Sequence, residues 1–320
     1  MSLTDRNLIA IIKAHRDDSL GADSGDLATQ RAAAMDHYHG RPYGNEIDGR
    51  SQVVSRDLAE AVDWALPAVV RAFVQSGNLA EFTPVGPEDE ALARQESDYV
   101  NQVLMKDNPG FMIVYDLAKD AMLLKNCYVK HYWDEQTKVT QESYSGLGMD
   151  QVQMLLSQLA ADGAEVEIKG QEITAGELGE EVALKLKITK KCGKLVAHAV
   201  PNEEVRVSKR CRGSLQDSPF TEHVTRKTRS ELIEMGMPRS FVDDLPALNE
   251  RDTDSQTRSR DTTVDESDSY GNQADRSMDE IEYCEAYIRV DFDGDGVAEL
   301  RKVVTCADRI PPGDEWNEPI

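Results

Sequence analysis

Leu8, Ile9, Ile11 and Ile12 begin a short amphipathic stretch, interrupted by a polar run rich in Gly and Asp from Asp17 to Asp26. A second helix is predicted from Leu27 to His39 and stops at Gly40-Arg41-Pro42. Ser55 stands where a third helix would take its N-cap, and Leu58, Val62, Leu66, Val69 and Phe73 then recur at helical spacing, with Pro67 expected to kink it. A fourth helix, Glu88 to Leu104, presents Leu92, Tyr99, Val100 and Val103. Its opening trio Glu88, Asp89 and Glu90 suits the positive end of a helix dipole, and Asn108-Pro109-Gly110 breaks it. A fifth, Phe111 to Lys125, turns Phe111, Val114, Leu117, Ala118, Ala121 and Leu124 inward.

After Asn126 the period shortens. Cys127 to Trp133 is rich in β-formers, Asp134 to Thr137 reads as a polar turn, and Val139 to Tyr144 returns as a hairpin partner. Asp150 to Leu159 reads as a short helix carrying Val152, Leu155, Leu156 and Leu159 on one side. Strands are predicted at Val166–Ile168, Val182–Ile188, Leu195–Val200 and Val205–Ser208. Thr228-Arg229-Ser230-Glu231 has the form of a capping box, and Gly236 falls where such a helix should end. Asn249 to Glu280 has 10 acidic and 4 basic residues among 32, with Val264, Tyr270 and Met278 as its only sizeable apolar or aromatic residues. That composition predicts an acidic disordered insertion, because it buries too little surface to offset the entropy of ordering. Two alternating strands, Ile281–Val290 and Val297–Cys306, then flank an Asp/Gly-rich hairpin turn.

The expected fold is therefore α+β, with an N-terminal helical region followed by mixed strands and helices with antiparallel hairpins. The organisation reads as a mainly helical region over 1–126, an α+β region over 127–248, the insertion over 249–280 and a β-hairpin over 281–320. No capping element follows Trp316, so the chain is expected to be interrupted at Ile320.

Charge changes the picture. With 36 Lys+Arg against 59 Asp+Glu, the chain carries −23, which argues against a surface that coats DNA or anionic membrane. The charge is uneven. Residues 185–229 hold 12 basic and 4 acidic residues, a net +8, which leaves −31 for the other 275. Lys185, Lys187, Lys190, Lys191, Lys194, Lys209, Arg210 and Arg212 within this stretch are candidates for contact with an acidic neighbouring subunit. Only Phe220 supplies an aromatic ring there, so the interleaving used by single-strand binders is missing. No apolar run approaches the roughly 18 residues that membrane spanning needs. The five cysteines are scattered without a CxxC pair, which reads as free thiols in a reducing cytoplasm, and no signal peptide is evident.

The sharpest chemical motif is Asp291-Phe292-Asp293-Gly294-Asp295-Gly296. Alternating carboxylates before a Gly match the first half of a calcium loop, but Lys302 occupies the position of the closing bidentate Glu and the flanks are strands. Asp291, Asp293, Asp295 and Glu299 are thus a candidate Ca2+ or Mg2+ site, with a structural turn as the favoured reading. No GxSxG, Walker-type or GxGxxG pattern occurs, His37 and His39 face apart around Tyr38, and no base, nucleophile and orienter can be nominated. The expectation is a protein that is not an enzyme.

Four segments, taken in order, resemble one family. "MDHYHGRPYGNEIDGRSQVVSRDLAEAVDWALPAVVRAF", "FMIVYDLAKDAMLLKNCYVKHYWDE", "HAVPNEEVRVSKRCRGSLQDSPFTEHVTRKTRSELIEMG" and "YIRVDFDGDGVAELRKVV" are similar to the N-terminal half of podovirus-type phage portal proteins, the head-to-tail connectors of tailed bacteriophages. The resemblance runs from about Ala32 to Val304. It implies a wing-like region of a ring, normally dodecameric, at a capsid vertex of the virion, assembled in the host cytoplasm. Double-stranded DNA passes through the channel during packaging and ejection, with terminase, tail adaptor and capsid proteins as partners. It carries over no catalytic residue and no cofactor. It also implies that the stem and most of the clip follow Ile320.

Overall fold

The computed structural model describes residues 3–21, 25–42, 44, 47, 49–51, 53–75, 77–161, 163–176, 179–248, 255–260 and 275–320. In chain order these form α1 (Asp5–Asp17), β1 (Ser19–Leu20), α2 (Asp26–His39), α3 (Asp57–Val74), α4 (Glu90–Gln102), α5 (Gly110–Leu124), β2 (Tyr128–Leu147), α6 (Met149–Ala161), β3 (Ala164–Gly176) and β4 (Gly179–Val200). Then follow β5 (Val205–Ser208), β6 (Phe220–Thr228), α7 (Arg229–Glu234), α8 (Arg239–Asp243), α9 (Ser255–Arg260), β7 (Glu280–Val290), β8 (Glu299–Cys306) and β9 (Asn317–Pro319). The architecture is α+β, as expected. Contacts divide it into two compact units: Met1–Glu81 with Gly110–Val129 and Ala199–Ile320, and Phe82–Pro109 with Lys130–His198.

The first unit is organised by an antiparallel sheet in the order β1-β5-β6-β7-β8-β9. Two of its hydrophobic clusters fall at opposite ends of β7. Leu8 and Ile12 of α1 pack on Phe220, Ala286, Ile288 and Val303, while Leu232, Met237, Val242 and Trp316 enclose Ile281, Tyr283 and Val304. The buried phase of β7 shifts between Tyr283 and Cys284, both buried. Because successive strand residues point to opposite faces, the shift hands burial from one side of the sheet to the other. Helices α2, α3 and α5 form a separate cluster around Met35, Val62, Leu123 and Leu124.

In the second unit, the sheet order is β2-β4-β3. Helix α6 covers it, and Val152, Leu155, Leu156 and Leu159 meet Val182, Leu184, Leu186 and Ile188 of β4. The side chain of Asn108, which ends a π-helical turn over Val103–Asp107, donates to Leu195 O and accepts from Ala197 N at 2.9 Å each, tying that turn to β4.

Several local expectations hold. The capping box at Thr228 is complete, with the Thr228 hydroxyl and the Glu231 carboxylate each accepting the other residue's backbone N–H. Others are corrected. Ser55 does not cap α3, whose N-cap position is Arg56 without a side-chain bond. The buried side of α4 is Ala93, Ser97 and Asn101, while Leu92 and Tyr99 are exposed. There Ser97 donates to Ala93 O and accepts from Phe82 N, so small, internally bonded residues replace the apolar stripe. In α5, Phe111 is exposed and the burial concentrates at Leu123 and Leu124. Asp134 to Thr137 is not a turn, because β2 runs unbroken through it, and β4 likewise runs through Lys190–Lys194. Residues 137–138 of β2 and 190–191 of β4 are exposed on successive positions, so their polar composition answers to solvent on both faces rather than to a turn. Strand β6, central to the large sheet, has no counterpart among the predicted elements. Of the predicted insertion, 249–254 and 261–274 lie outside the described residues, whereas Ser255–Arg260 is helical and Gln256 and Ser259 are buried.

Candidate functional site

The predicted basic stretch divides between the two units. Lys185, Lys187, Lys190, Lys191 and Lys194 belong to β4, and Lys209, Arg210 and Arg212 follow β5. Arg206, Arg226 and Arg229 are absorbed internally. Arg206 lies 3.2 Å from Glu222, Arg226 3.8 Å from Glu280, and Arg229 3.2 Å from Asp279, while Arg229 also donates to the carbonyls of Val242 and Leu245. Lys209 meets Asp18 at 2.9 Å, and this contact holds the Asp18 carboxyl below its ordinary range. Lys187 lies 3.7 Å from Glu167 on the adjacent strand. Among the described residues, Lys185, Lys190, Lys191 and Lys194 enter no ion pair, and all four are exposed. The stretch is therefore part internal framework and part exposed positive surface, most of it on β4 with the exposed Arg210 and Arg212 after β5.

That surface gains an aromatic that linear reading could not assign to it. The indole of Trp133 on β2 lies across Gly193 on β4, so closely that a Cβ added at Gly193 would overlap the ring. Trp133 is 61% exposed. Alternation along β4 places Lys185, Lys187, Lys191 and Gly193 on the face opposite Val182, Leu184, Leu186 and Ile188, hence opposite α6. The sequence signal for this neighbour was the single Gly inside a strand, a mark of close approach by another group.

In the Asp291 loop, Asp291, Asp293 and Asp295 place one carboxylate oxygen each within 4.8 Å of one another. These carboxylates already serve the backbone. Asp291 accepts from Gly294 N at 2.7 Å and Gly296 N at 2.9 Å, Asp293 accepts from Asp295 N, and Asp295 from Val297 N. Gly294 and Gly296 both have φ near +90°, which explains glycine at each. Glu299 is not brought into the group. It begins β8 opposite Val290, and its carboxylate lies 3.3 Å from Arg301.

The deepest charged group is elsewhere. Glu222 on β6 is fully buried and receives Arg16 of α1 and Arg206 of β5, with Asp308 and Glu282 completing the charge around Arg16. Every charge there has a partner, so the cluster binds α1 to the sheet. No helix among the described residues is long and apolar enough to cross a membrane.

Residues 8–320 match the family model described as phage SU10 portal protein. No curated protein matches the chain.

Proposed function

We propose that this chain, which belongs to the phage SU10 portal protein family, is the non-catalytic structural subunit of a ring at one capsid vertex through which double-stranded DNA is packaged and ejected. The observation that carries the reading is the family match over nearly the whole chain, residues 8–320. Charge supports it. Affinity for a polyphosphate rises steeply with each basic contact, so a channel that lets DNA slide must avoid a densely basic wall. A protomer at −23 meets that need. A head-to-tail ring also brings two different surfaces of the same chain together, which suits a protomer with a localised basic face and an acidic remainder. In this reading the exposed basic residues of the stretch, chiefly the lysines of β4, meet an acidic face of the neighbouring subunit. Twelve subunits, terminase and tail adaptor proteins that dock in turn, and the surrounding capsid proteins complete the proposed assembly.

The test is negative-stain microscopy of the purified protein. Rings with a central hole support the proposal, and a population without rings overturns it.

The Asp291 cluster favours a second reading, a calcium-binding interaction module. Its weakness is local: the loop's own amide groups already engage the carboxylates, and Glu299 is turned to Arg301.

A further inference from the structure

We infer that the uncovered face of the three-stranded sheet receives the exposed stripe of helix α4 from a second copy of the chain. This rests on the proposed ring and names the two surfaces that would build it.

The receiving face is the side of the sheet away from α6, where Lys185, Lys187 and Lys191 alternate along β4 and Trp133 lies over Gly193. Residues 185–194 contain five lysines and no carboxylate. The stripe is the side of α4 opposite its buried Ala93, Ser97 and Asn101. At helical spacing it presents Leu92, Glu96 and Tyr99, and Glu88 lies in the 3-10 turn Pro87–Asp89 that leads into the helix. Leu92 is 55% and Tyr99 68% exposed. Residues 88–98 carry five carboxylates and one arginine.

The two surfaces match in chemistry and in spacing. Each joins exposed apolar groups to charge mainly of one sign, offset on the sheet by Glu167 beside Lys187 and on the helix by Arg94, as in an interface whose aromatic anchors are ringed by polar contacts. Glu88 and Glu96 stand about 13 Å apart along the axis, at about 2.0 Å per residue through the 3-10 turn and 1.5 Å through the helix. Lys187 and Lys191 stand about 13 Å apart along a strand at 3.3 Å per residue. Both surfaces belong to the same unit and are different patches, so the contact is heterologous and propagates from copy to copy, which closes into a ring when the rotation allows. Nucleic acid is the less favoured occupant, because β2 places the exposed Glu135 on the same face as Trp133.

The experiment is charge reversal followed by exchange, with sedimentation velocity as readout and circular dichroism to confirm folding. Lys185→Glu with Lys187→Glu and Lys191→Glu should reduce the assembly to protomers, as should Glu88→Lys with Glu96→Lys. All five substitutions in one chain should restore assembly. A folded single-set variant that assembles as the wild type overturns the inference while leaving the ring reading standing. So does a folded five-fold variant that stays protomeric. A wild-type chain that never self-associates overturns the ring reading and the inference with it. As a second measurement, Leu92→Cys and Lys191→Cys chains carrying different tags should form a mixed disulfide under mild oxidation, and its absence counts against the contact. Loss of DNA-duplex retention in the lysine variant with unchanged assembly overturns the inference and assigns the face to nucleic acid.

Discussion

Arg16 reaches Glu222 with two guanidinium nitrogens, Nη2 at 2.7 Å and Nε at 2.9 Å, although the residues lie 206 positions apart. Arg16 closes a stripe with Leu8 and Ile12, the two buried residues of α1, which pack on the large sheet. Glu222 is wholly buried on the strand beneath. Burial by itself opposes the charge on Arg16, but the contacts with Glu222 prevail and raise its pKa. Removing Arg16 leaves the buried Glu222 with Arg206, 3.2 Å away, as its remaining cation. Arg16→Met is expected to lower stability by about 3–5 kcal/mol, with less further loss when Glu222→Gln is added. Urea denaturation of the two single variants and the double variant measures this coupling.

The Asp291 loop is expected to hold itself together. Asp291→Ala removes the acceptor for two backbone amides and should cost about 1–2 kcal/mol in denaturant unfolding. In the turn reading, millimolar calcium leaves the melting temperature of the wild type unchanged. A rise with calcium concentration would instead establish binding to the native state.

Thr228 and Glu231 form a reciprocal cap on α7. Thr228→Ala is expected to cost about 1 kcal/mol. The backbone N–H of Thr228 holds the Glu231 carboxyl below its ordinary 4.5, and burial opposes this only in part. A depressed carboxyl stabilises the fold above its unfolded pKa and loses that contribution as pH falls through the folded value. The acid side of the pH–stability curve should therefore flatten in Glu231→Gln, as followed by thermal unfolding between pH 3 and 6, a range set around the ordinary value near 4.5.

Cys284 and Cys306 are buried thiols. Burial pushes Cys306 from 9.0 up to about 12 and raises Cys284 well above 9.0. Between about pH 9 and 12 the unfolded chain binds fewer protons at Cys306 than the folded one, so stability falls as pH rises across that window. Cys306→Val should remove part of this alkaline loss. In native protein at pH 8, both thiols should resist a thiol-reactive dye that labels Cys127, and all five should react in denaturant.

Gly193→Val should displace the indole of Trp133 from β4. The ring is already 61% exposed and free to swing outward, so the stability change should be small. The readout is a shift in tryptophan emission that Trp133→Phe abolishes.

What the sequence by itself determined is local. The stripe of Leu8 and Ile12, the face of α6, the capping box at Thr228 and the turn at Asp291 depend on contacts within a few residues, so periodicity and turn chemistry expose them. The identities of the charged and aromatic residues were legible in the same way, as was the concentration of positive charge after Lys185. Their grouping was not. Asp134 to Thr137 looks like a turn in isolation, yet strand pairing carries β2 through it. Burial on α4 passed from the large apolar residues to Ala93, Ser97 and Asn101, whose side chains are small or bonded to their own helix. Trp133 joins Lys191 on one face only because strands distant in sequence lie side by side, and Arg16 finds Glu222 only because α1 packs on the large sheet. Register and sheet order arise from long-range pairing, and tertiary packing alone decides which faces that pairing leaves open.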